Sequence, residues 1–301
     1  MASDQARLTI DKIPAMTDMI SMKGKTAIVS GGTYGLGYNV AYRYAEAGAN
    51  VIVTGRGKEK GEQCVADFKG LGYEITYLQG DCTDLKFCEE VVAYAEKTFG
   101  KVDILANIAG KQDLMCFLDM QEEVYDKMMD INVKGTYFMS QAVARSMVRN
   151  GVEGYIVNCS STSPFGKDFT LGMLSHYAAS KGAVNALTLS MGRELAQHNI
   201  HVNAVACGSM KTTGQDICTP EVIERYGDRM ECAGDKFPPM PDPVSETPDD
   251  MARVFFVLST PLARFMLGNS IHVDGGSYLC STVPTVTMSH FYHDIFGDYD
   301  D

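Results

Sequence analysis

"KTAIVSGGTYGLG", residues 25–37, runs from a short apolar segment through a glycine turn into a helical pattern. Glycines at 31, 35 and 37 let the backbone come close to a pyrophosphate, whose charge is favoured at a helix N-terminus. Tight strand–helix packing uses the same glycines, so the flanking pattern decides. Val- and Ile-rich apolar runs recur at 25–30, 50–55, 74–81, 102–110, 154–161, 200–208 and 270–276. Helical patterns fill 36–48, 57–70, 84–99, 121–149, 175–197 and 247–260. Continuous apolar strands alternating with helices predict a parallel sheet covered on both faces. The expected fold is a Rossmann-like, doubly wound α/β sheet in one domain over residues 23–277. Residues 1–22 read as an N-terminal extension and 278–301 as a C-terminal tail. The segment 209–247, with "DKFPPMPDPVSETP", breaks the alternation after a strand's C-terminal end and reads as a substrate lid.

The 301 residues are 45% hydrophobic and 21% charged, enough for a sizeable core. A formal net charge of −12 repels phosphates and argues against nucleic acid or an anionic membrane as partner. Nine cysteines lie scattered without CxxC or zinc-ligand spacing, which suits reduced thiols. The first 25 residues lack a continuous apolar stretch, and no run approaches a membrane span. A soluble, cytoplasmic protein is expected. In the tail, His290 and His293 form an HxxHD arrangement with no further ligand suggested, so no metal is expected.

"SHYAASKGAV", residues 175–184, places Tyr177 four residues before Lys181, one turn apart on one helix face. Bringing a tyrosine from ~10 toward neutrality takes about 3 units, or roughly 4 kcal/mol. One cation about 4 Å away at an effective dielectric near 20 supplies on the order of 4 kcal/mol. Lys181 alone is thus expected to make Tyr177 a usable proton donor or acceptor near neutral pH. In isolation such a pair arises by chance on a solvated helix.

Here it does not stand alone. Gly31-x3-Gly35-x-Gly37, Asn107 of "NIAG", Asn132 of "INVKG", Ser161 of "IVNCSS", Tyr177, Lys181, "VNAVACG" and "VDGG" follow one another in the order seen in short-chain dehydrogenases/reductases. The resemblance covers about residues 24–276. It implies an NAD(P)(H)-dependent oxidoreductase that passes hydride between nicotinamide and a secondary alcohol or ketone. By that resemblance Tyr177 is the acid/base and Ser161 hydrogen-bonds the substrate oxygen. Lys181 lowers the Tyr177 pKa and holds the nicotinamide ribose, and Asn132 positions a water. The cofactor cradle implied is Gly31, Thr33, Tyr34, Gly35, Leu36 and Gly37 in the glycine turn, Arg56, Asp81 and Cys82 at the adenosine end, Asn107, Ala109 and Gly110, and then Tyr177, Lys181, Gly208 and Thr212.

Several positions depart from the family pattern. Ser30 stands where Thr is commoner, Ile108 replaces the usual second Asn, and Cys207 replaces the usual Pro before Gly208. Ser161 lies sixteen residues before Tyr177, about three more than the family spacing, so Ser163 competes for its role. At the end of the second strand Gly55 stands where a carboxylate would bind the ribose 2′-hydroxyl, and Arg56 follows, which suits a 2′-phosphate. Tyr34, however, occupies a turn position where many NADP-dependent relatives carry a basic residue. Asp81 resembles the residue that contacts adenine, while Asp84 fits a helix cap better.

The loops expected around the site are apolar: Phe165, Phe169, Leu171, Met173 and Leu174, with Leu114, Met115 and Phe117, and Met210 in the lid. Ser163, Phe165, Met173 and Met210 are the expected substrate contacts. Flexible thioethers suit a large apolar ligand better than a sugar, although Lys111, Lys167 and Lys211 could meet a sugar acid. Within the family the chain resembles bacterial 20β-hydroxysteroid dehydrogenases, which implies reduction of the side-chain ketone of cortisol-type steroids with NAD(H), NADP(H) remaining open through Arg56. The rivals are a sugar or sugar-acid dehydrogenase resembling gluconate 5-dehydrogenases, and a non-catalytic dinucleotide sensor. Sensors typically lose the tyrosine or lysine kept here. The resemblance also implies a homotetramer formed through helices 121–149 and 175–197.

Overall fold

The computed structural model describes residues 13–165, 173–208, 210 and 247–276. Its strands are β1 (Thr26–Ser30), β2 (Asn50–Gly55), β3 (Ile75–Gln79), β4 (Ile104–Asn107), β5 (Gly154–Ser161), β6 (Ile200–Cys207) and β7 (Ser270–Val273). They form one sheet in the order β3-β2-β1-β4-β5-β6-β7, parallel throughout. A short α1 (Met16–Ile20) precedes it. The connecting helices are α2 (Gly35–Glu46), α3 (Lys58–Gly70), α4 (Leu85–Phe99), α5 (Glu122–Met129), α6 (Gly135–Arg149) and α7 (Ser175–Leu195), with α8 (Pro248–Leu258) before β7.

The strands look uniformly apolar because each face is packed, yet a period of two is present within them. Ala27, Val29, Val53, Ala106, Val157 and Val205 point to one core with Val40, Tyr44 and Phe255. Ile28, Ile52, Leu105, Ile156 and Val202 point to the other, with Val91, Met139, Val143 and Met147. The α2–α8 seam is tied by a hydrogen bond between the buried Tyr44 and Ser259 hydroxyls, 2.6 Å, and by the Arg43 guanidinium on both Asp249 oxygens at 2.7 Å.

One expected helix is not continuous. Over 121–149, α5 and α6 are joined by a π-helical turn, Asp130–Lys134, that contains Asn132. Such single π turns inside α-helices are frequent at functional sites. The chain reverses direction of winding between β1 and β4, so their C-terminal ends flank a crevice, the usual ligand position in such sheets. Most of the expected lid, both chain ends, Thr212 and the HxxHD tail lie outside the described residues.

Candidate active site

The turn leaving β1 is shaped by close backbone approach. Gly31 has φ +74°, and a Cβ there would lie 2.7 Å from the Ala109 main chain. At Gly37 the added carbon would meet the Gly31 carbonyl oxygen at 2.1 Å. Tyr34, Gly35 and Leu36 complete the turn into α2, whose N-terminus has no side-chain cap. An anion is therefore the natural partner of its first-turn N–H groups. Across the crevice Asn107, buried, donates to Ser140 Oγ at 2.8 Å and Asn158 Oδ1 at 2.9 Å, while its own Oδ1 has no partner. Ala109 N donates to Ser30 O at 2.8 Å, holding the β4 loop against the glycine turn. A cradle that side chains would fill, an uncapped helix N-terminus and an orphaned buried amide oxygen all fit a dinucleotide.

At the far end, Gly55 is backed by Thr33, whose side chain lies 3.1 Å from where a Cβ would be. The ribose-binding carboxylate is absent here. Arg56 Nη1 points at Asp81 Oδ2, 3.7 Å away, and the cleft beside them is lined by Glu122, Glu123 and Asp126. Asp81 Oδ1 also accepts from Thr83 N and Oγ1 at 2.9 Å, and Asp84 caps α4 through Lys86 N. Cys82 is buried beneath Gly135, its thiol pushed up to about 11 by burial. Lys60, unforeseen from the sequence, sits 4.7 Å over the Tyr34 ring.

Three of the expected catalytic side chains converge at the ends of β5 and the start of α7. Ser161 closes β5, and its hydroxyl is near enough to the Tyr177 phenol to pull that group's pKa downward. Ser163 N donates to Ser161 Oγ at 3.2 Å, and the two hydroxyls are 3.3 Å apart, so Ser163 buttresses Ser161. Lys181, buried one turn beyond, has Nζ 5.7 Å from the Tyr177 ring centroid and donates to the Cys159 carbonyl at 2.8 Å. Asn132 joins them through its neighbours: it accepts from Lys111 N at 2.8 Å and donates to Lys111 O at 3.0 Å and Ser180 Oγ at 2.9 Å, and Ser180 donates to Tyr177 O at 2.7 Å. A Cβ on Gly110 would stand 3.2 Å from Asn132 Oδ1 and 3.5 Å from Lys181 Nζ, which puts the β4 loop in the same place.

The electrostatics differ from the sequence expectation. Tyr177 is held above the usual tyrosine value, because burial raises it more than the Lys181 ammonium and the Ser161 hydrogen bond lower it. Lys181 is itself above its ordinary value: burial pulls it down, but Cys159 and Tyr177 outweigh that. The simple sum failed because it left out the desolvation of the phenolate, which outweighs the cation. Tyr177 is thus a protonated phenol at neutral pH.

Around Tyr177 lies an apolar wall of Leu114, Met173 and Leu174, with Cys116 packed on it and Met115 N bonded to Met173 O at 3.0 Å. Phe165 stacks at a tilt on His272, 4.5 Å between centroids, and Met210 packs against the first core. Gly208, after β6, lies so close to Asp274 that a Cβ would be 2.7 Å from it. His176, beside Tyr177 in sequence, is buried with neither ring nitrogen hydrogen-bonded, and burial holds it below the usual histidine value. Nothing in its sequence context had singled it out. No cluster of metal-ligating side chains occurs among the described residues, and no described helix is long and apolar enough to cross a membrane.

The sheet, the crevice at its switch point and the hydroxyl pair beside a buried lysine define a nucleotide-binding α/β oxidoreductase. The family model described as short chain dehydrogenase matches residues 25–220, and the chain belongs to that family. It is therefore an alcohol/ketone oxidoreductase using NAD(P)(H). It is 35% identical over 260 residues to a 3α-hydroxysteroid dehydrogenase of Mediterraneibacter gnavus, covering 85% of this chain and 98% of that protein. It is 32% identical over 264 residues to an L-rhamnose 1-dehydrogenase (NAD(P)(+)) of Sphingomonas sp., covering 86% and 98%. Among solved structures, a short-chain type dehydrogenase/reductase from Mycobacterium marinum superposes with a TM-score of 0.76 at 30% identity, covering 90% of this chain and all of that one.

Proposed function

We propose that this protein is an NAD(H)-linked hydroxysteroid dehydrogenase that reduces a steroid ketone, with the side-chain 20-ketone of cortisol-type steroids as the substrate to test first. The observation that carries this is the apolar wall of Leu114, Met173 and Leu174 packed directly on Tyr177. Fused hydrocarbon rings bury against such a wall at roughly 25 cal/mol per Å², whereas a sugar would lose hydroxyl hydration without replacement. Lys111, a candidate partner for a sugar acid, is already paired with Asp113.

The bound nicotinamide supplies the hydride. In this reading Ser161 donates to the substrate carbonyl oxygen and Tyr177 hands that oxygen a proton as negative charge develops on it. The raised Tyr177 pKa keeps the phenol protonated at neutral pH, which favours the reductive direction. Lys181 steadies the phenolate left behind, and Asn132, pinned to Lys111 and Ser180, positions the surrounding backbone. NAD(H) is favoured over NADP(H) because the Arg56 guanidinium already faces Asp81 and the adjoining cleft carries Glu122, Glu123, Asp126 and Asp130 against Lys127, an acidic balance that opposes a 2′-phosphate. Homotetramer formation is supported by Tyr125, Tyr137 and Leu189, large apolar side chains exposed on α5, α6 and α7. Initial rates of NADH oxidation with cortisol beside those with 5-ketogluconate test the assignment. Turnover confined to the sugar acid would overturn it.

A further inference from the structure

The turn between β2 and α3, Gly55 to Gly57, is held in place from β3. The Tyr77 hydroxyl is shared between Gly55 O at 3.1 Å and Gly57 O at 3.0 Å, and Gln79 Nε2 donates to Arg56 O at 3.0 Å. Lys60, in the first turn of α3, stands on this fixed base: its stem lies along Gly57, where an added Cβ would meet it at 3.7–3.9 Å. Its ammonium sits 4.7 Å over the exposed ring of Tyr34, which belongs to the glycine turn after β1. Lys60 therefore bridges the two turns beside which an adenosine ribose lies in such sheets. Of the three cations at this end, Arg56 faces Asp81 at 3.7 Å and Lys58 faces Glu62 at 3.8 Å, whereas Lys60 faces an aromatic ring. A ring within about 6 Å steadies an ammonium without cancelling its charge, as a carboxylate would.

We propose that Lys60, with Tyr34 as its platform, is the residue that lets this protein accept a 2′-phosphate on the adenosine ribose, so that binding of NADPH depends on Lys60 and not on Arg56. The proposal rests on the reading of the two turns as the dinucleotide cradle. A 2′-phosphate brings a charge of about −1.5 to −2 at neutral pH, and an ammonium is a compact point charge to meet it. A 2′-hydroxyl carries no charge, so NADH gains little from the same residue. The acidic cleft lies on the Arg56–Asp81 side, and its lining, with Glu122, Glu123 and Asp126, includes neither Tyr34 nor Lys60. The adenosine end thus has an acidic side, which favours NADH, and a cationic side, which keeps NADPH admissible. Because Lys60 is exposed, screening holds its effect to about tenfold.

The test reads binding without turnover: displacement of bound NADH, followed by its fluorescence, with adenosine 2′,5′-bisphosphate and with 5′-AMP, which differ only in the 2′-phosphate. Lys60→Met puts another good helix former at an exposed position, so the fold is kept. It is expected to weaken the bisphosphate about tenfold and 5′-AMP less than about twofold. Tyr34→Leu removes the platform and should lower the selectivity for the bisphosphate over 5′-AMP by about twofold to fivefold. Arg56→Ala should change that selectivity by less than about fivefold. An equal loss of both probes in Lys60→Met, a selectivity that falls there by less than about threefold, or a larger fall in Arg56→Ala than in Lys60→Met would overturn the proposal. Failure of NADH to bind the unaltered chain would overturn the cradle reading and the proposal with it, and that outcome is seen before any variant is made.

Discussion

The two ends of the crevice are built by different means. Around Gly31 and Gly37 the recognition surface is backbone, fixed by contacts into which no side chain would fit. Around Tyr177 it is side chains, Ser161, Lys181 and the apolar wall, whose acidity and shape depend on what surrounds them. On the proposed reading the first surface decides whether a dinucleotide binds, and the second what is done with it. Substitutions should therefore separate binding from turnover.

The largest separation is expected from Tyr177→Phe. Turnover should fall by about 10³-fold or more while NADH affinity, measured by fluorescence titration, stays within about threefold. A variant retaining most of its activity would break the comparison at its reaction end. At the opposite end, Gly37→Val drives carbon into the Gly31 carbonyl, and dinucleotide affinity should fall by more than about 100-fold together with a lowered Tm. Normal affinity in that variant would show that the glycine turn is not the cradle.

The glycine turn and the Tyr–Lys spacing were legible in the sequence because each is set by local geometry: a turn that must be bare, and a helix that repeats every 3.6 residues. All seven strands and most helices were legible for the same reason, with ends within about three residues of those observed. The π turn at Asn132 was not, since i→i+5 bonding leaves no separate hydrophobic period. Nor were the Arg56–Asp81 pair or the burial of His176, both of which arise from elements that meet only after the sheet is assembled. The acidity of Tyr177 was misjudged because position along a helix says nothing about solvent exclusion.

That acidity sharpens the comparison through pH. With Tyr177 raised above its usual value, the reductive rate should stay flat through neutrality and fall only as the phenol deprotonates in the alkaline range, while the oxidative rate should rise over the same range. Lys181→Met removes the charge that opposes burial, so both limbs should move to higher pH, and unmoved limbs would mean that Lys181 does not act on Tyr177. A smaller effect is expected from Arg56→Ala. With the guanidinium facing Asp81, the NADH-to-NADPH ratio of kcat/KM should change by less than about fivefold, and a selective loss of NADPH beyond about tenfold would show Arg56 reading a 2′-phosphate.

The most direct measurement is the initial rate of NADH oxidation by the full chain with cortisol at neutral pH, beside 5-ketogluconate at the same concentration. The apolar wall on Tyr177 predicts turnover with the steroid at least about tenfold above the sugar acid. Turnover with 5-ketogluconate alone would contradict it and assign Leu114, Met173 and Leu174 to packing.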